Sequence, residues 1–137
     1  MGIEIIEHGG TRYAEVIRAD LRVEKTTFFS PAQSSFQFGL LAHEAGYLEE
    51  PHYHREFSRT VSDLQQMFVV QRGVVGVLLY SDAGDLLREI VLHPGDAIVL
   101  IHGVHAIRVI EDMQCISVKQ GPFLGVEYDK VVVKVKP

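Results

Sequence analysis

Apolar and polar positions alternate along short stretches of this chain, and turn-forming residues separate the stretches. A period of two is the signature of a strand that turns alternate side chains to opposite faces. Segments 13–18 and 24–29 alternate in this way. Segment 35–42 reads as a longer strand, with Phe36, Phe38 and Leu40 on one face and Gln37, Gly39 and Leu41 on the other. Further strands are expected over 67–71, 74–80, 87–92, 97–100, 105–110, 114–119 and 131–135. Gln71-Arg72-Gly73 and Ser81-Asp82-Ala83-Gly84-Asp85 suit tight turns between them. One turn of helix, capped by Ser62, fits 61–67. No repeat, low-complexity tract or linker interrupts the series. Many short strands at regular spacing predict an all-β sandwich or barrel. The first thirty or so residues are expected to add strands to one sheet or to a partner subunit.

Composition narrows the picture. The 137 residues suit one domain, and 47% of them are hydrophobic, enough for a sizeable core. No apolar run is long enough to span a bilayer, and the opening residues lack the basic-then-apolar order of a secretory signal. The single cysteine, Cys115, leaves no intrachain disulfide and reads as a small buried hydrophobe. These features predict a cytoplasmic protein with no membrane partner. A formal net charge of −5, with basic residues scattered, argues against a nucleic-acid partner.

The chemistry begins at Pro51-His52-Tyr53-His54. On a strand, residues two apart face the same way, so His52 and His54 would converge with Tyr53 turned aside. Neutral imidazole is the commonest metal ligand, and two converging rings half-build a site. A His-rich solvated loop would present the same two residues. Farther on, Pro94-Gly95-Asp96 forms a turn in which Pro fixes φ, Gly accepts positive φ and Asp bonds back to nearby amides. It launches the apolar run 97–101, which ends in His102-Gly103-Val104-His105.

These two stretches resemble the two motifs of the cupin superfamily. The first motif is matched by Gly46, His52, His54, Gln66 in the position of a Glu, and Gly73. The second is matched by Pro94, Gly95, Asp96, the apolar strand, Gly103 and His105. The resemblance runs from about residue 46 to 119. It implies a small jelly-roll barrel, a single cupin domain over 1–137. Strands in 1–33 would form the dimer and 34–123 the barrel core. It also implies one divalent transition metal (Zn, Ni, Fe or Mn) held by His52, His54, Gln66 and His105, and a homodimer. The segments 107–111 and 118–123 further resemble small bacterial cupins associated with polysaccharide or nucleotide-sugar pathways.

Two departures from the motif bear on chemistry. Gln66 supplies a neutral amide oxygen where a carboxylate is usual. The ion would keep its full charge, which strengthens its Lewis acidity. Gln66 could equally be an interior polar residue bonded to its neighbours. His105 lies one residue closer to Gly103 than is common, which leaves His102 as a rival ligand; the alternative for His102 is an exposed loop residue. His8, His43 and His93 are expected to have no chemical role, although His43 would reach the ligands if it faced inward.

Apolar wall is expected from Phe36, Phe38, Leu40, Met67, Val69, Leu78, Tyr80 and Ile107. Tyr47, Tyr53, Arg55 and Arg59 lie near enough in sequence to approach a ligand. Segment 55–63 reads as a lid or a solvated loop. The expected function is non-redox proton chemistry, of isomerase, lyase or epimerase type, on a small polar molecule such as a sugar or sugar acid. An iron-dependent dioxygenase and a non-catalytic carbohydrate-binding or sensing module are the alternatives.

Overall fold

The structure, a computed structural model, describes residues 2–137. Strand accounts for 43% of the residues and helix for 3%, which places the chain in the all-β class as expected. In chain order the elements are β1 (Glu4–His8), β2 (Thr11–Ile17), β3 (Thr27–Phe28), β4 (Gly39–Leu40), β5 (Gln66–Tyr80), β6 (Leu86–Leu92), β7 (Ala97–Leu100), β8 (Val104–Lys119) and the short helix α1 (Val126–Asp129). The chain divides into two compact units. One comprises Met1–Leu21 with Gln65–Pro137, and the other Arg22–Leu64.

The first unit is a six-stranded antiparallel sheet in the order β1-β2-β7-β5-β6, with β8 paired along β5. Near its start β5 lies between β7 and β8, and near its end between β6 and β8. A strand of fifteen residues accumulates right-handed twist, and bulges bend it further. Here the β5–β8 register shifts three times between Val70 and Val75. The outcome is a strongly curled sheet, a half-barrel.

Gln71-Arg72-Gly73 is therefore not a turn between two strands but the bulged middle of one. Gly73 holds φ +79°, and a Cβ there would overlap the backbone carbonyl of Asp112 on β8. The segments 105–110 and 114–119 merge in the same way into the single strand β8. Other expectations shrink. Segment 24–29 keeps only β3, and 35–42 keeps only β4, which pairs with it. Segment 61–67 forms no helical turn, because Gln66 and Met67 join the ladder with β7 and β8. Segment 131–135 is irregular: it is rich in β-branched residues but has no ladder partner.

The core is one cluster drawn from every long strand except β8. It includes Ile6, Tyr13, Val16, Val70, Val77, Leu79, Leu92 and Ile98, each at most 5% exposed. The Pro94-Gly95-Asp96 turn forms as predicted and ties three strand ends together. Gly95, at φ +90°, donates its amide to the Val70 carbonyl at 2.8 Å, and Val70 donates back to the Asp96 carbonyl at 3.0 Å. The Asp96 carboxylate accepts from the amides of Ala19 (2.8 Å) and His93 (2.9 Å) and from the Arg18 guanidinium (3.2 Å). Arg18 also bonds Glu4 on β1 and the Val91 carbonyl on β6.

The Arg22–Leu64 unit is built differently. Apart from the β3–β4 pair it has no strand or helix. Side chains hold its backbone instead. Gln37 Nε2 donates to the carbonyls of Pro31 and Ser34, both at 2.8 Å, and the Ala42 amide donates to Thr26 Oγ1 at 3.0 Å. Phe38 is its one buried hydrophobic residue. Among the described residues of the whole chain, no helix is long and apolar enough to cross a membrane.

Candidate functional site

His52 and His54 lie in the Arg22–Leu64 unit, on irregular backbone rather than on a strand. Strand alternation therefore does not aim them. A local turn does: His52 Nδ1 donates to the Glu50 carbonyl at 2.8 Å. In a neutral ring, a proton on Nδ1 leaves the lone pair on Nε2. Metal-bound histidines are commonly oriented by this kind of contact. The two rings stand edge to face with centroids 5.3 Å apart. With metal–nitrogen bonds of about 2.0 Å, two imidazoles on one tetrahedral ion have centroids on the order of 5 Å apart. The pair's spacing thus fits one ion. The Glu49 carboxylate lies 4.0 Å from His52 Nε2.

Gln66 and His105 belong to the sheet unit. Gln66 opens β5, opposite Leu100 on β7 and Lys119 on β8. Its side-chain nitrogen donates to Ser117 Oγ at 2.8 Å. That bond engages the nitrogen end of the amide. His105 sits near the start of β8, opposite Leu79. Both share a face of the curled sheet. Phe68, two residues after Gln66, and Ile107, two residues after His105, line the same hollow of about 370 Å³.

The imidazole of His105 keeps a solvent-facing side. Crowding by the surrounding protein nonetheless strips part of its hydration. That desolvation, with a smaller push from the Lys130 ammonium, holds its pKa below the ordinary value. The neutral ring is the form that ligates metals.

The structure thus places His52 beside His54 in one unit, and Gln66 and His105 on one face of the other. Among the described residues, no group of three or more His, Cys, Asp or Glu side chains is gathered to hold a metal ion. By chemical type, three imidazoles and an amide oxygen would suit a divalent transition metal if brought together.

Three of the remaining histidines have other partners. His102 Nε2 lies 3.1 Å from Asp82, and its ring packs edge-on against Tyr13, with centroids 5.1 Å apart. It is an exposed residue of the Ile101–Gly103 turn, engaged with that surface. His43 stacks on Tyr47 at 4.0 Å and contacts Thr26. His8 packs edge-on against Tyr13.

Sequence reasoning did not find Ser117 or the Glu50 carbonyl. Glu50 stands two residues before His52, a spacing that suits a local turn but not a strand. Ser117 is reachable only through the β5–β8 register, which sets it diagonally across from Gln66. Comparison with protein family models, with curated proteins and with solved structures found no match.

Proposed function

We propose that this chain is a cupin-type metal protein in which His52, His54, Gln66 and His105 hold one divalent transition metal. It would perform non-redox proton chemistry on a small molecule with a carbonyl or hydroxyl group. The observation that carries the reading is the orientation of Gln66. Ser117 ties down its amide nitrogen, and the carbonyl oxygen would be the end that meets the ion. The Nδ1 contact of His52, which reserves Nε2, points the same way.

A bound divalent ion would supply charge to polarise the substrate's oxygen. The protein's own part is to hold neutral imidazoles in place and to keep the Gln66 oxygen turned to the ion. A homodimer and a cytoplasmic location belong to the same reading. β1, an edge strand of the sheet, offers Ile5 for a second copy, 44% exposed.

Elemental analysis of the purified protein, beside His52→Ala and His105→Ala, tests the reading. The expected result is about one equivalent of metal per chain, lost in both variants. Gln66→Glu should bind more tightly, because it restores a charged ligand. Metal content unchanged in the histidine variants would remove them as ligands. Weaker binding by Gln66→Glu would show that residue 66 does not face the ion. No metal in any form, even after reconstitution, would leave a binding module without a metal.

A further inference from the structure

The hollow of the sheet unit has a lining more specific than its shape. Its floor is Val75, Val77 and Leu92, all buried, and Phe68 and Ile107 form its walls. No Asp, Glu, Lys, Arg or His lines it. A cavity of roughly 150 Å³ walled by aliphatic and aromatic side chains stays dry and binds benzene. At about 370 Å³ this hollow has room for a body of two fused rings.

The lining excludes several ligand classes. A sugar presents hydroxyls on all sides, and each one buried without a partner costs about 1–3 kcal/mol. A phosphate or carboxylate would find no cation here. An aromatic ring, by contrast, finds two soft sulfurs. Cys115 Sγ lies 3.5 Å from Met113 Sδ, and both residues line the hollow. Sulfur is polarisable and packs favourably against ring edges, and Phe68 adds an aromatic wall. The polar groups are few. Gln114 spends its amide nitrogen on Gln71, while Ser117 accepts from Gln66 and keeps its own proton to donate.

We propose that this hollow binds a small, uncharged, two-ring aromatic molecule bearing one hydrogen-bond acceptor directed at Ser117. The proposal stands on the lining alone. Joined to the metal reading, and resting on it, the hollow makes the substrate an aromatic hydroxy or carbonyl compound rather than a bare sugar.

The test is a fluorescence titration of the full chain with 2-naphthol, with glucose as competitor. Saturable one-to-one binding is expected, undisturbed by excess glucose. Ile107→Trp should fill the hollow and weaken binding at least tenfold. Val118→Trp, on the same strand but turned to the opposite face from the lining residue Ser117, should bind like the wild type. Cys115 is the chain's one cysteine, so a measurement on the unaltered protein guards against a misfolded variant. Saturating 2-naphthol should slow alkylation of Cys115 by iodoacetamide several-fold.

Absence of saturable binding, equal binding by Ile107→Trp, displacement by glucose or an unchanged alkylation rate would each overturn the proposal. Repeating the titration after chelation separates it from the metal reading. Binding that persists supports the hollow whether or not a metal is ever found. Binding that vanishes would put the probe on a metal and overturn it.

Discussion

The sheet unit and the Arg22–Leu64 unit carry similar short apolar runs and hold them by different means. In the sheet, every residue of β5 except Gln71 and Gly73 at the bulge is fixed by a partner on one or both sides, so its direction follows from register. In the 22–64 segment only two residue pairs are in register, and local side-chain bonds to carbonyls and amides do the rest. The sheet buries a dozen hydrophobic residues in one cluster. The other unit leaves Leu41, Leu48, Tyr53 and Phe57 exposed. The candidate ligands divide along the same line. Gln66 and His105 are aimed by a ladder, His52 and His54 by a turn. A ladder residue resists change cooperatively, whereas a turn residue depends on its immediate neighbours.

Glycine substitution separates the two kinds of structure, and the largest effect is expected at Gly73. Its φ of +79° and the overlap of any Cβ with the Asp112 carbonyl combine two penalties at the bend of β5. Gly73→Ala should cost about 3 kcal/mol or more, enough to unfold a marginal domain. Urea denaturation reads this directly. A loss under about 1 kcal/mol would mean that the bulge can move and that the curl of the sheet is not set there.

The bend also explains what was legible in the sequence and what was not. Apolar runs and alternation between turn signals identified β2, β6 and β7 to within two residues, because each is short and bounded by turns. The pattern failed at residues 71–73, where Gln-Arg-Gly reads equally as a hairpin turn and as a bulge. Only the distant partner on β8 decides between them. Nor does the pattern reveal that Glu15 is 1% exposed and ion-paired with Arg12. Segment 35–42 alternates well but gains only the Gly39–Leu40 pair, because a strand needs a partner as well as a pattern. Of the candidate site, the four proposed ligands come from the sequence, through the His-x-His spacing and the resemblance to the two motifs. The groups that orient them, Ser117 and the Glu50 carbonyl, come from register and from a local turn.

A second, smaller effect is expected at Asp96. Burial alone would raise its pKa. The amides of His93 and Ala19 and the Arg18 guanidinium outweigh burial and hold it below the ordinary carboxylate value. A lowered folded pKa means that the unfolded chain takes up the proton more readily. The carboxylate's contribution to stability is then fully present above the ordinary value of 3.8 and is lost as pH falls through the lowered one. Asp96→Asn should cost about 2 kcal/mol at neutral pH and flatten the acid limb of the stability curve. An unchanged acid limb would mean that other carboxylates govern it.

The smallest effect sharpens the comparison most. Gly46 shares the left-handed backbone of Gly73, at φ +93°, but a Cβ there would meet nothing within 4 Å. Backbone strain is then the only penalty, about 1–2 kcal/mol for an ordinary residue in that region. In the 22–64 segment the turn can relax, because no ladder holds its neighbours, so Gly46→Ala should fall at or below the lower end of that range. Two glycines with similar φ would then differ in cost by several-fold, and the difference would measure what a ladder adds to a turn. Equal costs at the two positions would show that the 22–64 backbone is held as firmly as the sheet, and that His52 and His54 stand on a platform as rigid as the one beneath Gln66 and His105.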